Sequence, residues 1–306
     1  MVHTISVLIP ALNESDRLSA TVRSFLQGRR SGIPVEFVIV DDGSADGCCL
    51  NFAAEAEMLS HRPGVSFRIC GLARSHGNYT ARNLAAAQAS GDVLFITDAH
   101  VAVLPGWDEL LAQAVSPGTI SVATICTPSQ RWSAYGCRLL YPDMSTRWNR
   151  SPPAPGAPVA VSPCSGTIIS RELFCHLGGY DPGMLAYYAG EPEFSVRAWL
   201  LGADIRCLPA LRVLHRFKAR TEYRDYTDSV RPMMIHNAIR FAALYLNEAQ
   251  VREVAGYYAD RFPAQARAAL GMLDRAEVSR RRSQLEASAV RSFSWFSARF
   301  PVTGLG

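Results

Sequence analysis

Three side chains in this sequence carry the chemistry of a metal site. Asp98 and His100 flank Ala99, and His215 stands far downstream, behind the apolar runs Ile205–Leu208 and Leu211–Leu214. Residues i and i+2 of an extended segment point the same way, so the carboxylate of Asp98 and the imidazole of His100 share a face. A mixed oxygen and nitrogen donor set suits a borderline divalent cation. An isolated Asp-x-His is more often a surface turn, and a lone His more often structural. Place gives these residues weight: Asp98-Ala99-His100 directly follows the buried-looking run Val93–Thr97. A cation held there would bridge the phosphates of a nucleoside diphosphate and offset the charge of a leaving diphosphate. Arg216, Lys218 and Arg220 follow His215 and are candidates for phosphate contacts. Asp41 and Asp42 close another apolar run, where a carboxylate can accept hydrogen bonds from a base or ribose, and Gly43 permits the turn that follows. Arg82-Asn83 would steady these acidic loops or the ligand.

The elements needed to position such residues are legible upstream. Ile5–Ile9, Phe37–Val40, Val65–Cys70 and Val93–Thr97 read as strands, and residues 14–27, 46–59 and 79–89 as the helices between them. This alternation predicts an α/β fold with a mostly parallel central sheet flanked by helices. Ligands of such sheets bind beyond the carboxyl ends of the strands. The polar clusters Asn13-Glu14, Asp41-Asp42 and Asp98-Ala99-His100 all fall there. Residues 151–163 hold five prolines and read as an irregular loop. Thr167–Ser170 is a further strand and residues 193–200 a helix. From about Asp228 the pattern is helical, with helices expected over 233–246, 248–258 and 264–283. The expected organisation is a ligand-binding and catalytic region over 1–225, with a helical extension over 226–306 packed on it.

Composition narrows the class. The chain has 306 residues, 48% hydrophobic and 19% charged, with a net charge of +4. That is enough for a large core, and no dense basic stripe marks a nucleic-acid binder. The opening residues lack the pattern of a signal peptide, and no run is long and apolar enough for a transmembrane helix. Eight cysteines without a C-x-x-C pair read as reduced, buried thiols. The expectation is a cytoplasmic enzyme. Phe293, Trp295, Phe296 and Phe300 near the end either dock on the parent fold or touch a membrane or partner.

The order of these pieces carries a resemblance. Val7-Leu8-Ile9-Pro10-Ala11-Leu12-Asn13-Glu14, then Val38 to Ser44, Ala81-Arg82-Asn83, Gly91-Asp92 and Asp98, resemble the large family 2-like glycosyltransferases of the A-type fold. Leu177-Gly178-Gly179-Tyr180-Asp181-Pro182-Gly183-Met184 and Gly190-Glu191-Pro192-Glu193-Phe194-Ser195-Val196-Arg197-Ala198-Trp199 resemble the matching block of polypeptide N-acetylgalactosaminyltransferases, as do Asp98-Ala99-His100 and His215-Arg216-Phe217-Lys218. The likeness covers roughly residues 4–220. It implies a Rossmann-like A-type fold and transfer of a hexosyl or N-acetylhexosaminyl group from a UDP-sugar such as UDP-GlcNAc or UDP-GalNAc. It implies Mn2+ or Mg2+ on Asp98, His100 and His215. The nucleotide sugar would meet Pro10, Ala11, Asn13, Glu14, Asp41, Asp42, Arg82, Asp98, Ala99, Gly178, Gly179, Arg216 and Lys218. Glu191 and Glu193 would be the catalytic carboxylates.

The chain departs from this pattern at Pro192. Inverting members usually carry Glu-Asp there, the Asp serving as general base, and the polypeptide-glycosylating enzymes Glu-Asn. A proline cannot take a proton, so transfer with retention is expected, with inversion through Glu191 or Glu193 as the alternative. The expected acceptor is soluble: a natural-product intermediate, a nucleoside or a peptide. Two rivals are weaker. A sugar-1-phosphate nucleotidyltransferase would show a Gly-rich basic loop after the first strand, where this chain has Pro10-Ala11-Leu12-Asn13-Glu14. A non-catalytic sugar-nucleotide-binding protein would have little use for Asp98, His100, His215 and Glu193 together.

Overall fold

The computed structural model describes residues 2–305. Its first part alternates as the periodicity predicts: β1 (Ile5–Ala11), α1 (Arg17–Gly28), β2 (Val35–Asp41), α2 (Cys48–Ser60), β3 (Val65–Gly71), α3 (Asn78–Gln88) and β4 (Val93–Ile96). Next come β5 (Val101–Val103), α4 (Trp107–Ala114), β6 (Thr119–Cys126), β7 (Ser133–Ala134), β8 (Cys137–Leu139), β9 (Thr146–Trp148), β10 (Thr167–Ser170), α5 (Arg171–His176), α6 (Gly190–Leu200) and β11 (Asp204–His215). The chain ends in helices: α7 (Arg220–Tyr245), α8 (Glu248–Arg261), α9 (Pro263–Met272), α10 (Arg275–Ser288) and α11 (Phe293–Arg299).

One sheet runs β3-β2-β1-β4-β10-β6-β11-β5, with β7 on β6. Its first four strands are parallel. Beyond β4 it is mixed: β10 is antiparallel to β4 and β6, β11 parallel to β6, and β5 antiparallel to β11. The expectation of a mostly parallel sheet therefore holds for its first half. The first-half strands are connected by helices, which return the chain to its starting edge and force parallel pairing. β10 follows an irregular loop and enters in the opposite sense. Apolar side chains from both faces are buried, with Val7, Ile9, Phe37 and Phe95 on one side and Leu8, Val38, Leu94 and Ile96 on the other.

The helix expected over 264–283 is two helices. Asp274 breaks it, its side chain capping α10 by accepting from the Glu277 N–H. The expected boundary at 225 falls inside α7, a 26-residue helix beginning at Arg220. The C-terminal helices share the buried cluster of the sheet's α3–α6 face, which runs from Leu8 through Phe194 to Phe241 and Phe296. The aromatic tail docks there. Trp295 and Phe300 pack on Trp199, and Phe293 stacks on Tyr245. No helix of the described residues is long and apolar enough to cross a membrane.

Candidate active site

The carboxyl ends of β1, β2, β4 and β11 meet at one edge of the sheet. β4 delivers Asp98 two residues past its last strand residue. β5 then starts at Val101 and pairs antiparallel with the end of β11, with His215 opposite Val101. This pairing returns His215 to His100, and the Arg216 N–H donates to the His100 carbonyl at 3.1 Å. The two imidazoles stand edge to face with centroids 4.9 Å apart. One ligand atom from each of Asp98, His100 and His215 lies within 4.8 Å of the others.

The surroundings fit a cation on these three residues. Glu14 meets Nδ1 of His100 at 3.1 Å through both oxygens, which leaves Nε2 of that ring for an ion. A carboxylate behind a ligating imidazole is a common means of fixing its orientation. His215 Nε2 stands 3.2 Å from Oδ2 of Asp98, and its buried Nδ1 has no protein partner. Burial alone would raise the Asp98 pKa. The His215 hydrogen bond and the positive charge of Arg82 and the imidazoles outweigh it and hold the carboxyl well below its usual range. Asp98 is therefore an anion at any ordinary pH. His100 is also buried, which disfavours its charged form, but the bond to Glu14 and the nearby carboxylates raise its pKa.

Arg82 is fully buried beneath this cluster. Its Nη2 donates to Oδ1 of Asp98 at 2.7 Å and its Nη1 to Glu191 at 3.2 Å. Tyr79 donates its hydroxyl to the other oxygen of Glu191 at 2.6 Å. Of the two roles open to Arg82 in the sequence, steadying the acidic loops is the one its position allows. Burial keeps it out of reach of a bound nucleotide.

A cavity of about 530 Å³ opens over the cluster. Pro10, Ala11, Leu12, Glu14, Asp42 and Asn78 form one wall, Asp98, Ala99, His100, Cys164 and His215 the floor, and Trp148, Tyr187, Phe217, Lys218, Tyr223 and Tyr226 the other side. Asp42 is buried and saturated: it accepts from the Ser75 hydroxyl and the His76 and Gly77 N–H groups. It fixes the wall beside the cavity. Asp41 accepts from the Ser44 N–H, and Asn13 staples the same turn through Ala45 and Asp46. Neither lines the cavity.

Several expected positions lie elsewhere. Glu193 is fully buried, bonded to Arg197 at 2.8 and 2.9 Å and accepting from the Tyr245 hydroxyl. It faces the helical core and is not a base for an acceptor. A carboxylate one residue beyond Pro192 on α6 points away from the Glu191 side, because successive helical residues diverge by about 100°. Gly178 and Gly179 also stand outside the cavity. Their turn is tied to the scaffold by Arg197, which donates to the Leu177 and Gly179 carbonyls, and by Asn83, which bonds Tyr180. Arg216 is exposed, with its guanidinium outside the cavity. Pro192 is buried in the first turn of α6, where a missing N–H costs nothing. The aromatic wall was missed in the sequence. Tyr187-Tyr188, just ahead of the Gly190-Glu191 block, and Phe217, within the His215–Lys218 block, were its visible signs.

This arrangement defines an α/β protein with a metal-competent triad beneath a nucleotide-sized cavity at the carboxyl edge of its sheet. Residues 6–184 match the model of glycosyl transferase family 2, and the chain belongs to that family. Its fold is the A-type glycosyltransferase fold. It is 26% identical to polypeptide N-acetylgalactosaminyltransferase 5 of Caenorhabditis elegans over 95% of this chain and 47% of that protein. It is 25% identical to polypeptide N-acetylgalactosaminyltransferase 4 of Mus musculus over 96% of this chain and 50% of that one. The chain thus spans about half the length of these curated relatives. Among solved structures it resembles GalNAc-T7 with UDP, GalNAc and Mn2+, with a TM-score of 0.74 at 20% identity over 98% of this chain and 58% of that one. It also resembles the mannosyltransferase PcManGT of Pyrobaculum calidifontis in complex with GDP-Man and Mn2+, with a TM-score of 0.55 at 14% identity over 97% and 81% of the two chains.

Proposed function

We propose that this protein transfers a hexosyl or N-acetylhexosaminyl group from a UDP-sugar to an acceptor hydroxyl, with Mn2+ or Mg2+ held by Asp98, His100 and His215. The observation that carries this is the triad on the cavity floor, with Glu14 and Arg82 each fixing one of its members. The cation would supply charge to offset the leaving diphosphate. Lys218 and Arg220, on the cavity wall beside the triad, would add to that field. The likeness to GalNAc-T7 with UDP, GalNAc and Mn2+, and to polypeptide N-acetylgalactosaminyltransferases, supports a UDP-N-acetylhexosamine donor and a peptide acceptor.

Retention of anomeric configuration is the stereochemistry proposed. Pro192 has no titratable group, and Glu193 is locked to Arg197 and Tyr245. The remaining carboxylate, Glu191, is held by Tyr79 and Arg82. The leaving diphosphate would then take the acceptor proton. The test is UDP release from UDP-GalNAc, UDP-GlcNAc and UDP-glucose, before and after chelation and with Mn2+ restored, in parent and His215→Ala proteins. Release that depends on Mn2+ and is lost in the variant is expected; release indifferent to chelator would defeat the proposal. Proton coupling at the product's anomeric carbon decides stereochemistry. A β-linked product would make Glu191 the base.

A further inference from the structure

The segment that supplies Trp148 to the cavity, together with the end of β11, carries five arginines. Residues 127–160 contain Arg131, Arg138, Arg147 and Arg150 against one acid, Asp143, and Arg216 joins them from the end of β11. Asp143 is turned inward, accepting from the Ser145 N–H and hydroxyl. All five arginines are exposed, and among the described residues none of their guanidiniums pairs with a carboxylate. Some exposed arginines elsewhere find partners, as Arg23 with Glu55 and Arg206 with Asp204, and others, such as Arg62, Arg74 and Arg267, do not; what sets the five apart is that four of them fall within residues 127–160 beside a single acid.

Each of the five neighbours, in sequence, in strand register or in space, an aromatic residue that lines the cavity, one packed against it, or another of the five. Arg147 precedes Trp148 and Arg216 precedes Phe217, and both aromatics line the cavity. Arg131 precedes Trp132, whose ring packs edge-on against Trp148 at 5.6 Å and Phe217 at 5.4 Å. Arg150 lies over Trp132, 4.4 Å from the ring centroid. Arg138 stands directly opposite Arg147 in the β8–β9 register. Like charges facing each other across a strand pair destabilise it. This hairpin therefore accepts a cost in stability that an anionic partner would relieve.

We propose that the acceptor is an acidic peptide, laid from the cavity mouth across the β8–β9 hairpin, with aspartate or glutamate side chains flanking the glycosylated hydroxyl. The inference rests on the glycosyltransferase reading. A small anion would fill the cavity alone, whereas this charge extends outward along the hairpin and onto the face opposite Trp148. It therefore matches an extended chain carrying several carboxylates. Arginine meets carboxylates in a paired geometry and stacks on aromatics at once, and Arg150 on Trp132 is already placed for both.

The test compares threonine peptides flanked by Glu, by Gln and by Lys, with acceptor-free hydrolysis of the donor as the internal reference. Arg147→Glu converts the repelling pair into a cross-strand ion pair with Arg138, so the variant is expected to unfold at the same temperature as the parent or higher. The Glu-flanked peptide should be favoured in the parent, and its advantage should shrink as salt is raised. In Arg147→Glu its KM should rise by roughly tenfold, as expected for reversing a rim charge, with the Gln-flanked peptide and donor hydrolysis unchanged. Equal KM values for the three peptides would overturn the proposal. So would binding to anionic phosphatidylserine vesicles that Arg147→Glu abolishes while leaving peptide preference intact. Absence of any donor hydrolysis would instead remove the glycosyltransferase reading on which it stands.

Discussion

Asp98 is held from several sides: Arg82 donates to one oxygen at 2.7 Å, His215 stands 3.2 Å from the other, and His100 is close by. Arg82 does this while also holding Glu191, a two-armed bridge that only a guanidinium can span. Lysine offers a single ammonium on a shorter fork. Arg82→Lys is therefore expected to keep the charge but free one of the two carboxylates, weakening Mn2+ binding by about 10–100-fold, the usual cost of losing an outer partner of a metal ligand. Calorimetric titration of Mn2+ in the presence of UDP measures this. Parent-like affinity in a folded variant would show that Asp98 needs no such bridge. The triad itself was legible in the sequence, because each ligand stands at the end of an apolar run and the runs come in a telling order. The roles of Arg82 and Glu193 were not. Burial decides both, and burial depends on partners such as Glu191 and Tyr245 that lie 109 and 52 residues away.

At the scale of elements, the segment between α5 and α6 is the most strained part of the site. Ala186, Tyr188 and Ala189 all have positive φ, a conformation that non-glycine residues avoid. Asn237 on α7 holds the segment: its amide donates to the Leu185, Tyr187 and Tyr188 carbonyls and accepts from the Leu185 N–H. Its other support is Gly77, at φ +94, which lies so close that a Cβ there would stand 2.4 Å from the Ala186 Cα. Between them they fix Tyr187 in the cavity wall. Gly77→Ala combines a disfavoured φ with a backbone clash, so a loss of about 2–4 kcal/mol is expected. Urea unfolding checks it, and a variant as stable as the parent would mean the segment relaxes without cost. None of this was readable beforehand. Periodicity found the long elements of the first half, but β5 and β7–β9 are two or three residues each, too short to show a period.

At the scale of the whole molecule, the C-terminal helices are bound to the half that carries the triad by charge as well as by apolar contact. That shared core is why no composition shift marks a boundary near 225. Asp181 closes the Gly178-Gly179-Tyr180 turn and is fully buried. It accepts from Arg240 of α7 at 2.7 and 3.0 Å and stands 3.1 Å from Arg281 of α10, while Arg240 also meets Glu277 of α10. Burial raises the Asp181 pKa, but the Arg240 hydrogen bonds and the charges of both arginines overcome this and hold it below the ordinary value. The unfolded chain has a carboxyl of pKa about 3.9. A group whose folded pKa is depressed contributes stability fully above its unfolded pKa and loses it as pH falls towards the folded value. The pair should therefore stabilise the protein at neutral pH and progressively less below about pH 4. Asp181→Asn removes that titration and leaves two arginines facing a neutral amide. At neutral pH it is expected to cost about 3–5 kcal/mol, the usual penalty for breaking a buried ion pair. The gap between parent and variant should narrow as pH is lowered. Urea midpoints of both proteins, measured from neutral pH down to the acid limit of folding, give the comparison. Parallel curves would mean that Asp181 does not carry this part of the acid sensitivity.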